Sequence, residues 1–131
     1  MSQENVEVLQ AITAHFNETG NWGPAELYDP EVTFATRGDV GGPQTYTGHQ
    51  GLVDAMASFR EAWAEINPHI LRFIEGEDVV IADIRFELRS HAGVQLQVEE
   101  AWAYWFQDGR VKHVEQHGTV TSALEAAGLS E

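Results

Sequence analysis

The dipeptide Asp108-Gly109 lies between two segments of alternating apolar residues, Val94 to Phe106 and Val111 to His117. Aspartate and glycine both accept positive φ at low cost, as a two-residue type I′ turn requires, so the pair predicts a tight β-hairpin. A tight turn also sets register. Without further irregularity, Gln107 falls opposite Arg110, Phe106 opposite Val111, Tyr104 opposite His113, Trp102 opposite Glu115 and Glu100 opposite His117.

The strand before this hairpin runs about Val79 to Arg89 and returns through His91-Ala92-Gly93. A three-residue loop there puts glycine where a left-handed residue is favoured and pairs Leu88 with Leu96 and Phe86 with Val98. One sheet face then carries Val80, Ala82, Ile84, Phe86, Leu88, Leu96, Val98, Trp102, Tyr104, Phe106 and Val111, together with Glu100, His113, Glu115 and His117. The other carries Ile81, Ala103, Trp105 and Val114 among charged residues, with Arg85 opposite Glu99. That half-apolar outer face predicts a partner sheet, and hence a homodimer packed sheet to sheet.

Upstream the period is helical. Val6, Leu9, Ile12, Thr13 and Phe16 recur at helical spacing from a Ser2 cap until Gly20. Pro24 opens a short second helix through Tyr28, Asp29-Pro30 predicts a turn, and Val32 to Thr36 alternates as a strand. Thr47 with Gln50 resembles a capping box, and Leu52, Met56, Phe59, Trp63 and Ile66 form the stripe of a third helix that Pro68 ends. A strand follows from about Ile70 to Glu75, and a short helix that Gly128 terminates closes the chain. The 131 residues predict a single domain of α+β class, with helices on one face of a mainly antiparallel sheet. The glycine cluster from Gly38 to Gly48 lacks a P-loop ending and reads as a flap or a contact loop.

Composition narrows the function classes. With no cysteine there is no disulfide framework, thiolate metal site or thiol nucleophile. Seven basic against 21 acidic residues give a formal charge of -14, which disfavours nucleic acid and anionic membrane surfaces as partners. The opening Met-Ser-Gln-Glu-Asn has no signal-peptide pattern, so a cytoplasmic location is expected.

Glu100 beside His117, with Glu115 two residues along, is the constellation suited to acid/base work, since a carboxyl and an imidazole can exchange a proton near neutral pH. His113, Glu115 and His117 at alternate positions form a candidate divalent-metal site. Trp102, Tyr104 and His113 on the strands, with Phe16, Met56, Phe59 and Trp63 on helices, are candidates to line an apolar pocket. His15, His49, His69 and His91 stand apart from any second ligand and read as structural. No cofactor is expected.

The run Trp102-Ala-Tyr-Trp-Phe, the turn Asp108-Gly109-Arg110-Val111, the ending from Ala123 to Leu129 and the stretch from Gly42 to Gly48 resemble a SnoaL-like domain of the nuclear transport factor 2-like superfamily. The resemblance covers nearly the whole chain. It implies a cone-like α+β fold, a curved sheet, an apolar cavity between sheet and helices, and a dimer. Polyketide cyclases, ketosteroid isomerases and limonene epoxide hydrolases share that fold, but their acid/base positions are not matched. Those of the isomerases fall on Ile12, Ala35 and Trp102, and the last-strand aspartate of the others falls on or beside Gln116. The function so implied is binding of a small, mostly apolar molecule. The alternatives are an acid/base enzyme using Glu100 or Glu115, His117 and Tyr104, and a metal site at His113, Glu115 and His117.

Overall fold

The computed structural model describes residues 2–37 and 43–130. Helix α1 (Ser2–Thr19) forms where Leu9, Ile12 and Phe16 recur a turn apart, and all three are buried. Gly20 ends it at φ +79°, its N–H donating to Phe16 O at 2.7 Å. The short second helix is one 3-10 turn (Ala25–Leu27), and strand β1 (Tyr28–Ala35) starts earlier than expected. Asp29-Pro30 makes an irregularity inside β1 in place of a turn, with Asp29 Oδ1 accepting from Glu31 N at 2.8 Å.

Residues 38–42, including Gly38, Gly41 and Gly42 of the expected flap, lie outside the described residues. Strand β2 (Thr45–Thr47) pairs antiparallel with β1 and leads into α2 (Gly48–Ala62). The capping box does not form: Thr47 makes no side-chain cap, and Gln50 Nε2 donates to Asp54 Oδ1 at 3.0 Å. The third helix also stops short of Pro68. Trp63 already has extended backbone, and Ile66 and Pro68 belong to β3 (Glu65–Glu75). Pro68 is tolerated because β3 is an edge strand, where a missing N–H breaks no second ladder.

Strands β4 (Val79–Arg89), β5 (Gln95–Gln107) and β6 (Arg110–His117) complete a six-stranded sheet of order β2-β1-β6-β5-β4-β3. Its one parallel pair among the described residues is β1 with β6. The β4–β5 register is the expected one, Leu88 to Leu96 and Phe86 to Val98, with Gly93 at φ +89°. At the β5–β6 turn Asp108 and Gly109 both take positive φ, 53° and 78°, as a type I′ turn requires.

Two residues beyond that turn the register departs from the sequence reading. Phe106 pairs with Val111, but Trp105 pairs with His113, so Lys112 is an unpaired bulge residue. Every side chain after it changes face. Val114 and Gln116 turn inward, Val114 to 3% exposure, and His113, Glu115 and His117 turn outward. The expected oppositions of Glu100 to His117 and Trp102 to Glu115 are therefore replaced by Trp102 opposite Gln116 and Ala101 opposite His117. The bulge is the compact solution, because both Val111 and Val114 enter the core across a spacing of three.

Helices α1 and α2 cover the inner face, over a core that runs from Leu9 and Ile12 through Phe34 and Val80 to Trp102 and Val111. Helix α3 (Val120–Ala127) covers part of the outer face, where Ala123 and Leu124 pack on Val79, Ile81, Ala101 and Ala103. Thr119 caps it by accepting from Ser122 N at 3.1 Å, and Gly128 at φ +70° ends it. Much of the apolar outer surface that suggested a second sheet is thus met by the chain's own last helix. No helix among the described residues is long and apolar enough to cross a membrane.

Candidate functional site

A pocket of about 330 Å³ opens between α2 and the inner face of the sheet. The inward positions of β4 and β5 form its floor: Phe86, Leu88, Leu96, Val98, Glu100 and Trp102. Ser58, Phe59 and Trp63 enclose it from α2 and its end, with Ile66 of β3 beside them. Trp22 comes from the loop after α1, Tyr46 from β2, Thr36 and Arg37 from the end of β1, and Gln116 from β6. The walls are thus mainly aromatic and aliphatic, and Arg37, Glu100 and Gln116 form a polar cluster among them.

Glu100 is 8% exposed, one of two buried polar residues among those described, the other being Asn5. Burial of such a group demands hydrogen bonds. Its Oε1 accepts from Trp102 Nε1 at 2.9 Å and from Gln116 Nε2 at 3.0 Å. Gln116 Oε1 in turn accepts from Arg37 N at 3.0 Å, which fixes which end of the amide faces the carboxylate. Glu100 Oε2 faces the Arg37 guanidinium, whose Nη1 stands 3.7 Å away, an ion-pair distance longer than a hydrogen bond. Gly118 makes the space for that guanidinium: a Cβ there would lie 2.8 Å from Arg37 Cζ.

Of the residues expected at the site, Glu100, Trp102, Phe59 and Trp63 meet in this pocket. Phe16 and Met56 line a separate hollow of about 190 Å³ beside Arg60 and Asn67. Tyr104 lies in the packed core below, at 7% exposure. Burial pushes its hydroxyl far above the ordinary tyrosine range, and burial followed by the nearby Tyr104 does the same to Tyr28, so neither supplies a proton near neutral pH. Arg37 and Gln116 were not among the expected site residues. In the sequence Gln116 marks only the lack of an acid at that position, and Arg37 reaches it from 79 positions earlier in the chain.

His113, Glu115 and His117 assemble on the outer face, away from Glu100. Glu115 Oε2 accepts from His113 Nε2 at 3.0 Å and Oε1 from His117 Nε2 at 2.9 Å. The opposite ring nitrogens meet hydroxyls, His113 Nδ1 that of Thr33 and His117 Nδ1 that of Ser122 at 2.7 Å. The chain of five side chains ties β1, β6 and α3 together, and the Trp105 ring stands 5.3 Å from that of His113. Among the described residues no group of three or more His, Cys, Asp or Glu is arranged to hold a metal ion. Both imidazole Nε2 atoms are directed at the carboxylate instead.

Partial burial pushes the Glu115 carboxyl up, but hydrogen bonds from His117 and His113 and the charges of both rings outweigh it and hold the carboxyl below its ordinary range. A folded-state pKa below the unfolded one contributes stability that is present at neutral pH. That stability is lost only as pH falls from the unfolded glutamate range, about 4.3, through the lower folded value. The stability difference between wild type and Glu115→Gln is therefore expected to hold down to about pH 4.3 and close below it, as read from urea midpoints across a pH series. A difference that stays constant into the lower range contradicts this assignment.

The sequence profile of the SnoaL-like domain matches residues 9–114. The chain belongs to the SnoaL-like family. Solved structures share this SnoaL-like fold over nearly its whole length. A nuclear transport factor 2-like protein of unknown function from Burkholderia pseudomallei K96243 is 16% identical, with 93% of this chain and 95% of that one covered and a TM-score of 0.80. TerC, co-crystallised with polyporic acid, is 21% identical over 93% and 96% of the two chains, with a TM-score of 0.78. A protein of ketosteroid isomerase-like fold from Catenulispora acidiphila DSM 44928, in complex with trimethylamine, is 17% identical over 95% and 94%, with a TM-score of 0.73. At these identities the likeness is one of fold. No curated protein sequence matches the chain.

Proposed function

We propose that this SnoaL-like protein binds a small, mostly apolar molecule in the pocket between α2 and the sheet. The observation that carries the reading is Glu100, a buried carboxylate held by Trp102 and Gln116 in a pocket walled mainly by aromatic and aliphatic side chains. Such a combination of apolar walls and few convergent polar groups is the usual make-up of a small-molecule site. A volume of about 330 Å³ is at the lower end of the range for such sites and suits a ligand of one or two rings. The polyporic acid bound to TerC and the trimethylamine bound to the Catenulispora protein support the reading, since both are small molecules taken up by proteins of this fold.

Three of the four tryptophans, Trp22, Trp63 and Trp102, line the pocket, so intrinsic fluorescence reports its occupancy. Titration with 4-nitrophenol and 2-naphthol is expected to give saturable quenching. Val98→Trp, which fills the pocket from β5, is expected to weaken it about tenfold or more, equivalent to at least about 1.4 kcal/mol. No saturable quenching in the wild type, or equal binding by the filled variant, overturns the proposal.

A further inference from the structure

The pairing of Glu100 with Arg37 narrows the ligand beyond size and polarity, and the argument rests on the binding proposed above. Glu100 Oε1 is occupied by two donors, Trp102 Nε1 and Gln116 Nε2. Its other oxygen faces a guanidinium 3.7 Å away. A carboxylate fixed through one oxygen, with the other beside a permanent cation in an apolar pocket, is arranged to take a proton from a hydroxyl that contacts both groups from the pocket side. The cation then holds the negative charge left behind.

Three classes of ligand can be compared at that point. An organic cation would have to sit against the Arg37 guanidinium, which Gly118 accommodates at its own expense in side chain. A ligand already anionic would approach a molecule of formal charge -14 and be repelled at range. A neutral ligand carrying an acidic hydroxyl meets neither obstacle, and can be ionised in place.

We propose that the polar cluster of the pocket is a proton-accepting site for a neutral phenol or enol: Glu100 takes the hydroxyl proton and Arg37 holds the resulting oxyanion. The balance is simple. The ligand O–H bond breaks, its electron pair stays on the oxygen, a new O–H bond forms at Glu100 Oε2, and an Arg37 N–H donates to the oxyanion. No oxidant, reductant or second substrate enters. Gln116 and Trp102 act as positioning residues, since they direct the carboxylate and do not meet the reacting oxygen.

4-Nitrophenol tests this directly, because its phenol and phenolate forms absorb at different wavelengths. Mixed with the wild type below the pH at which the free probe ionises, it is expected to show the phenolate band with no proton released to solvent, and an apparent Kd independent of pH. Arg37→Met is expected to bind the probe with the phenol band only. In Glu100→Gln the proton has no acceptor in the pocket, so any phenolate bound is matched by a released proton, and affinity for it changes about tenfold per pH unit. Tryptophan quenching accompanied by the phenol band in the wild type overturns the proton-transfer inference and leaves the binding proposal standing, and phenolate binding by Glu100→Gln without proton release overturns it equally. Absence of quenching removes the binding proposal, and this inference with it.

Discussion

Replacing Val114 by aspartate is expected to cost at least about 3–5 kcal/mol, the scale of an uncompensated buried charge. Such a loss is a large part of the roughly 5–15 kcal/mol that holds a domain of ordinary stability together. Val114 is 3% exposed and packs in the inner core, because the bulge at Lys112 turns it inward. A register with no bulge would place the same residue on the outer face among charged neighbours, where an aspartate costs little. The neighbouring Glu115→Ala, on the outer face, serves as the comparison and should change stability far less. Urea unfolding of the two variants separates the registers, and a Val114→Asp protein as stable as the wild type would show the bulge to be misplaced.

The second large effect is expected at Trp102. Its ring lies within 5.2–6.5 Å of those of Phe34, Trp22, Phe86, Phe59 and Tyr104, measured between centroids, and it is 3% exposed. Trp102→Ala removes one side of each of these pairs and is expected to cost about 3–5 kcal/mol. Trp102→Phe keeps an aromatic ring, though a smaller one, and loses the Nε1–H whose hydrogen bond Glu100 accepts, so it is expected to cost about 1–3 kcal/mol. If urea unfolding finds the alanine variant within about 1 kcal/mol of wild type, Trp102 is not the centre of the cluster.

The two hairpins show which parts of this fold are legible from residues alone. Gly93 and the pair Asp108-Gly109 carry their turn geometry in their identity, and both turns formed as expected. A bulge has no such signature, since Lys112 is an ordinary exposed residue. The usable sign was the spacing of Val111 and Val114, two valines three apart in a strand whose faces alternate every two. Weighing both as core residues would have required one extra residue between them, and His113, Glu115 and His117 would then have moved outward together. Pro68 misled in the opposite way. Its identity predicts a helix stop, whereas Trp63 already ends the helix and the proline sits in an edge strand.

The candidate site divides along the same line. Glu100, Trp102, Phe59 and Trp63 could be found because a strand face and a helix stripe were enough to place them. Arg37 and Gln116 could not, because their proximity depends on β1 lying beside β6, a pairing that no local pattern announces. The apolar outer face predicts a partner sheet, whereas α3 of the same chain covers part of it.

That parallel pairing also bears on how the molecule assembles. Strands β3 to β6 are joined in sequence by short turns, so their contacts are local and close little chain. Thr33 and His113 meet across 80 residues, and bringing β1 beside β6 must overcome the entropy of closing that long segment. The four-stranded meander is therefore expected to form first, with Glu100 and Gln116 already facing one another across it. Arg37 reaches them only when the amino-terminal third docks, so the charge pair in the pocket is completed in the last stage of folding.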